Sequence, residues 1–224
     1  MSYQLFTGLF TEGSTDNRFL KSVVERTLDE VAFECRSEIE TELFIIDIDK
    51  SGLSFHEQVL KASLDAFNRY GITKLCVYLD ADGPTDSRAF ENKLDPAIDA
   101  LQQQEDSSYC KLTVPVVPIY MTEAWMLADT ELIKRQIGTD KSDQELGLVR
   151  NPEGIAKPKE VIQEAIRIAR ADMTQKRRKD LNISELYQPI GQEIDLDHLE
   201  RLSAYRKFKE SMREAFRILN LLHD

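Results

Sequence analysis

The stretch Lys74-Leu-Cys-Val-Tyr-Leu-Asp-Ala-Asp-Gly-Pro-Thr-Asp86 constrains this chain more than any other. Leu75 to Leu79 is a short, nearly continuous apolar run, the pattern of a strand buried on both faces. Asp80 and Asp82 follow on alternate residues, and Gly83-Pro84 turns the chain away. In an open parallel sheet, ligands gather at the carboxyl ends of the strands. The two carboxylates therefore stand where chemistry is expected.

Around this strand the chain alternates. Residues 3–10 form an expected first strand, followed by the turn-rich Thr11-Glu12-Gly13-Ser14-Thr15-Asp16, where Ser14 or Thr15 can cap a helix running to about Val31. Phe19, Leu20, Val23, Val24 and Leu28 give that helix its apolar stripe. A second strand is expected over 42–48, ending in another Asp-x-Asp, Asp47 and Asp49. Ser54 with Glu57 makes a capping box, and Gly71 a C-terminal cap. After Asp86 the pattern is helical again, with Pro96 expected to divide it. Leu112 to Tyr120 is a fourth extended segment, and Pro115 and Pro118 make it an irregular or edge strand rather than a central one. It leads into a helix start at Glu123 and a short helix, 130–137, that stops at Gly138. The alternation predicts an α/β fold: a mostly parallel sheet flanked by helices over residues 1–138. Residues 139–224 read as a loop-rich segment and a C-terminal α-helical appendage packed on that domain.

A chain of 224 residues can bury a sizeable core. No apolar stretch approaches the ~20 residues of a membrane helix, and no basic region followed by a long apolar run marks a signal peptide. Cys35, Cys76 and Cys110 are odd in number and widely spaced, which suggests neither a disulfide framework nor a zinc site. A reducing cytoplasm is the expected location. The net charge of −11 argues against nucleic-acid binding by the whole surface. It leaves room for a nucleic-acid enzyme whose acids hold divalent cations, because a bound ion reverses the local charge.

Three strand ends supply acids: Glu12 after the first, Asp80 and Asp82 after the third, Glu123 after the fourth. Hard cations such as Mg2+ or Mn2+ take oxygen ligands of this kind, and one or two of them can promote attack on a phosphodiester. Acids at helix starts also serve structure, because carboxylates favour helix N-termini. Asp47 and Asp49 are assigned to structure, Asp16 and Asp129 to caps or surface, and Trp125 to packing. The basic run Lys176, Arg177, Arg178 and Lys179 is the candidate phosphate-contacting segment, with a solvated helix end as its alternative.

These residues carry a resemblance. Glu12-Gly-Ser-Thr-Asp16 with Phe19-Leu20, then Leu79-Asp-Ala-Asp-Gly83, resembles the Toprim domain of topoisomerases, bacterial primases and the overcoming-lysogenization-defect nucleases. Glu123-Ala-Trp-Met-Leu-Ala-Asp129, Asn151-Pro-Glu153 with Pro158-Lys159, and Tyr187 with Gly191 are similar to a bacterial Toprim-like family of unknown function associated with ATPases and phage defence. The resemblance implies a magnesium-dependent nuclease acting on DNA more than RNA. Glu12 would be the general acid/base or a shared ligand, Asp80 and Asp82 metal ligands, and Glu123 a further ligand. No residue is identified as the catalytic lysine some Toprim nucleases carry; Lys157 and Lys159 are the candidates, each with a solvated role as its alternative. One alternative is a non-catalytic or conditionally active partner of an AAA- or ABC-type ATPase. Another is a phosphatase of haloacid-dehalogenase type with Asp80 as nucleophile, although that motif normally follows the first strand of its fold. The last is an interaction module whose acids are structural.

Overall fold

A computed structural model describes residues 3–148, 151–171 and 181–222. Four parallel strands, β1 (Tyr3–Phe10), β2 (Ile39–Ile45), β3 (Lys74–Tyr78) and β4 (Thr113–Val116), form one sheet in the order β2-β1-β3-β4. The helices are α1 (Ser14–Phe33), α2 (Phe55–Tyr70), α3 (Ser87–Ala89), α4 (Asp95–Gln102), α5 (Glu123–Met126) and α6 (Thr130–Ile137). They continue with α7 (Asp143–Leu146), α8 (Pro158–Ala169), α9 (Tyr187–Glu193), α10 (Leu196–Leu199) and α11 (Ser203–Ile218). The α/β class and the helical C-terminal part agree with the expectation. No helix among the described residues is long and apolar enough to cross a membrane.

Strand order follows from connection handedness. The β1-α1-β2 crossover runs one way along the sheet, and β2-α2-β3 runs back past β1. With right-handed crossovers, α1 and α2 must then lie on opposite faces. The core divides accordingly: α1 residues such as Phe19 and Val23 pack with Leu9 and Cys76, and α2 residues such as Val59 and Ala66 pack with Leu75 and Val77. The β3-to-β4 connection continues in the second direction, so α4 joins α2 on its face. The α1 face over β3 and β4 is covered by no crossover helix. The C-terminal helices fill it: α11 packs on β4 and α9 packs along α1. Trp125, Tyr205 and Phe208 form a ring cluster there, with centroids 5.4 to 6.0 Å apart. Sheet, α1 and C-terminal helices thus share one continuous core.

Residues that carried the family resemblance have structural explanations. A Cβ on Gly191 would stand 2.5 Å from the Phe19 carbonyl oxygen, so only glycine lets α9 lie this close to α1. The Glu153 carboxylate accepts from Ser203 N at 2.9 Å, Ser203 Oγ at 2.8 Å and Ala204 N at 2.8 Å, satisfying the first amides of α11 from a distant loop.

Two expectations are corrected. The second strand spans Ile39–Ile45 rather than 42–48, paired from Tyr3↔Ile39 to Leu9↔Ile45. Its start is hidden in the sequence by Glu38, Glu40 and Glu42, which are tolerated because β2 is an edge strand. Pro96 does not divide the helix of 87–102: a π-turn, Phe90–Leu94, joins α3 to α4, and the backbone stays in the right-handed helical region. A wide turn before a proline accommodates the ring and the missing N–H that a regular helix would not. The edge expected from Pro115 is present. Leu75 N donates to Leu112 O and Leu79 N to Val116 O, so the even residues of β4 bond to β3 and the Pro115 nitrogen lies on the open side.

Candidate functional site

Because β1 and β3 are neighbours whose connections depart in opposite directions, the sheet has a switch point between their carboxyl ends. The Thr11–Asp16 turn, the Leu79–Gly83 loop and the Tyr120–Glu123 loop converge there. Strand alternation fixes which way Asp80 faces. Cys76 and Tyr78 belong to the α1 side of the sheet, and Leu75, Val77 and Leu79 to the α2 side. Asp80 continues the even parity toward α1 and the C-terminal helices.

The Tyr78 hydroxyl donates to Asp80 Oδ1, which also accepts from Thr122 N at 3.2 Å. Thr122 Oγ1 lies 2.5 Å from the Tyr78 hydroxyl and donates to Asp16 Oδ1 at 3.3 Å. Glu123 is buried and accepts from the Tyr187 hydroxyl of α9, with Lys159 Nζ 4.0 Å from its Oε1. Asp16, Asp80 and Glu123 thus follow three strand ends; Tyr78 and Thr122 link Asp16 with Asp80, and Tyr187 holds Glu123.

Their electrostatics show crowding of like charge. Burial pushes the Asp80 carboxyl up to about 7; the Tyr78 hydrogen bond opposes this, and the charges of Asp16, Glu123 and Asp82 add to it. Burial also raises Asp16, against the Thr122 hydrogen bond and with the charge of Glu123. Tyr78 and Tyr187 are both raised well above the usual phenol range, first by burial and then by neighbouring carboxylates. Burying unpaired carboxylates is costly, and Asp16 and Asp80 have no ion-pair partner among the described residues.

The loops behind the site are tied together. Ala81 N donates to Pro118 O at 3.1 Å, Asp82 N to Tyr120 O at 3.0 Å, and Tyr120 N to Gly83 O at 3.1 Å. Asp82 and Tyr120 both adopt left-handed backbone, with φ of 51° and 61°. Such conformations cost energy for residues other than glycine and concentrate at functional sites.

The sequence candidates divide. Asp80 and Glu123 meet in the cluster, and Asp82 sits at its exposed edge. Glu12 is exposed; its Oε1 lies 3.7 Å from Lys93 Nζ, and its carbonyl accepts from Lys50 Nζ at 2.9 Å. It is not among the leading charges acting on Asp80. Lys159 borders Glu123, whereas Lys157 pairs with Glu160 at 2.8 Å on the surface. Asp49 accepts from Ser51 N at 3.0 Å in a turn beyond β2. Asp129 caps α6 through Leu132 N at 2.9 Å. Trp125 is fully buried. Lys176, Arg177, Arg178 and Lys179 lie outside the described residues.

Asp16 is the residue sequence reasoning missed, having been assigned to a cap or the surface. The α1 N-cap is Gly13 and no side chain caps it, so Asp16 is free for another role. The signal was available: Asp16 precedes Phe19, Leu20 and Val23 at helical spacing, on the buried stripe.

The donor set is all oxygen and under-neutralised, which suits a hard divalent cation. Among the described residues, no three His, Cys, Asp or Glu side chains stand close enough to hold one ion together in this conformation. The donor type fits such an ion, while the described residues do not gather it into one closed shell.

Fold and site together define a doubly wound α/β protein with an acidic cluster at its switch point. Residues 11–210 match the model of a family described as a domain of unknown function, DUF4276, and the chain belongs to that family. No curated protein and no solved structure matches the chain.

Proposed function

We propose that the chain is a divalent-cation-dependent phosphodiesterase, a Toprim-like nuclease acting in the cytoplasm on DNA more than RNA. One observation carries the reading: Asp16, Asp80 and Glu123 converge from three strand ends at the switch point, with burial and mutual charge pushing Asp80 up to about 7. Asp80 and Glu123 would hold Mg2+ or Mn2+ together with Asp16 or Asp82. The ion, when bound, supplies charge stabilisation for a phosphoryl oxygen.

The chain's own residues do the rest. Tyr78 and Thr122 N fix the Asp80 carboxylate through Oδ1. Tyr187 fixes Glu123. Lys159, half-exposed beside Glu123, offers a cation to an incoming phosphate. The test is calorimetric titration with Mn2+ alongside cleavage of plasmid and oligonucleotide DNA and RNA, for the protein and for Asp80→Ala and Glu123→Ala. Cation binding and cleavage lost in both variants support the reading; unchanged cleavage in either refutes it.

One observation favours a second reading, a conditionally active partner of an ATPase. Glu12 pairs with Lys93 outside the cluster, so this conformation leaves the site without the glutamate that the Toprim resemblance implies. Cleavage that appears only with a co-purifying ATPase would decide for it.

A further inference from the structure

A second cleft lies beyond the other end of α5. It is an open cleft of about 520 Å³, bordered by the Leu127–Thr130 turn, by Asn151-Pro152 and by the His198–Leu202 turn. That volume is within the usual range for small-molecule pockets. Leu127, Leu148, Pro152 and Leu202 give it an apolar wall.

Among the described residues, the charges lining the cleft are matched except for one. Asp143 is met by Lys134 Nζ at 2.8 Å and by the Thr130 hydroxyl at 2.8 Å. Asp129 Oδ2 faces His198 Nδ1 at 3.3 Å, while its Oδ1 caps α6. The imidazole forms a side wall of the cleft. Asn151 accepts from Glu153 N through its side-chain oxygen, which leaves its NH2 group as a donor at the cleft edge. Arg201 lines the same cleft, is exposed, and has no carboxylate partner among the described residues. An apolar wall, a spare amide donor and one unmatched guanidinium together select a ligand with an apolar body and one anionic oxygen group.

We propose that this cleft binds a small organic oxyanion, a carboxylate or phosphate monoester, with the anion on Arg201 and the body against Leu127, Leu148 and Leu202. The site is separate from the acidic cluster. It lies at the C-terminal end of α5, one helical turn from Glu123, and depends on none of the carboxylates assigned to the cation. Its outcome is independent of whether the protein is a nuclease.

The test is a 1H–15N NMR titration with four probes: phenyl phosphate, benzoate, inorganic phosphate and benzyl alcohol. The expected result is saturable shifts at Ala128, Leu148 and Arg201 with phenyl phosphate or benzoate, and which of the two binds tighter identifies the anion class. Arg201→Ala should weaken that binding about tenfold or more, the worth of a charge-assisted hydrogen bond. Ala128→Phe, which fills the cleft without touching the charge, should also weaken it. Shifts absent with both aromatic anions, or located elsewhere, overturn the proposal. Equal binding of benzyl alcohol removes the role of Arg201, and equal binding of inorganic phosphate removes that of the apolar wall; either result overturns it too.

Discussion

Replacing Lys74 with methionine should stabilise this protein, and by more as pH falls toward neutrality. Lys74 opens β3 opposite Thr7 of β1 and is fully buried. Its Nζ has no hydrogen-bond partner among the described residues, and neither does Thr7 Oγ1. The ammonium group lies 4.3 Å from the centroid of the Phe216 ring on α11. Burial lowers its pKa from 10.5 to about 7, against small opposing effects of Cys76, Cys110 and Cys35. At about 1.4 kcal/mol per tenfold change in proton affinity, that fall corresponds to roughly 5 kcal/mol for the fully charged amine. The ring can return about 1 to 2 kcal/mol of it.

The unfolded chain keeps Lys74 protonated up to about 10.5, while the folded chain loses that proton near 7. Between those values the unfolded state binds more protons, so stability rises with pH across that window. Below about 7 the penalty is constant and complete. Methionine keeps the length of the side chain and removes both the charge and the titration. Lys74→Met should therefore gain about 3 to 4 kcal/mol at pH 7, falling by roughly half at pH 9. Urea denaturation of both proteins at the two pH values measures this, and the other titrating groups cancel in the difference. A destabilised variant, or a gain that does not change with pH, would refute the reasoning.

Three other outcomes follow from the structure. Gly191→Ala forces a methyl to within 2.5 Å of the Phe19 carbonyl and should cost about 2 to 3 kcal/mol in urea denaturation, by separating α9 from α1. Glu153→Ala removes three hydrogen bonds from the start of α11 and should cost about 2 kcal/mol, with the loss in hydrogen-exchange protection concentrated in that helix. Asp80→Asn relieves carboxylate crowding and should raise the thermal midpoint by several degrees, the worth of about 1 to 2 kcal/mol, while abolishing Mn2+ binding by calorimetry.

Local features of the fold are legible because they rest on short-range periodicity. Ser54 and Glu57 announce α2, Gly71 and Gly138 end helices in left-handed conformations, and the alternation of apolar runs gives a parallel α/β sheet. Asp80 and Glu123 could be singled out because each follows an extended segment. Less legible were the features that depend on which face of an element meets which neighbour. Glu12 and Asp16 lie four residues apart on one turn. The more exposed of them attracted attention, while the helical phase carries Asp16 inward to Thr122.

What the sequence determined alone was the alternation of strands and helices, the ends of α2 and the Gly138 stop of α6, and the placing of acids at strand ends, since each depends on residues within a turn or a strand of one another; the α1 cap expected at Ser14 or Thr15 is Gly13 instead. Only the tertiary structure decided that β1 and β3 are neighbours, that α9 and α11 cover the face no crossover reaches, and that Tyr187 reaches Glu123 across 64 residues. It also decided that a lysine at the start of a strand is enclosed by a C-terminal helix. The reason is physical: strand order and crossover handedness act over the whole sheet, and a sequence read locally carries no record of which distant surfaces they bring together.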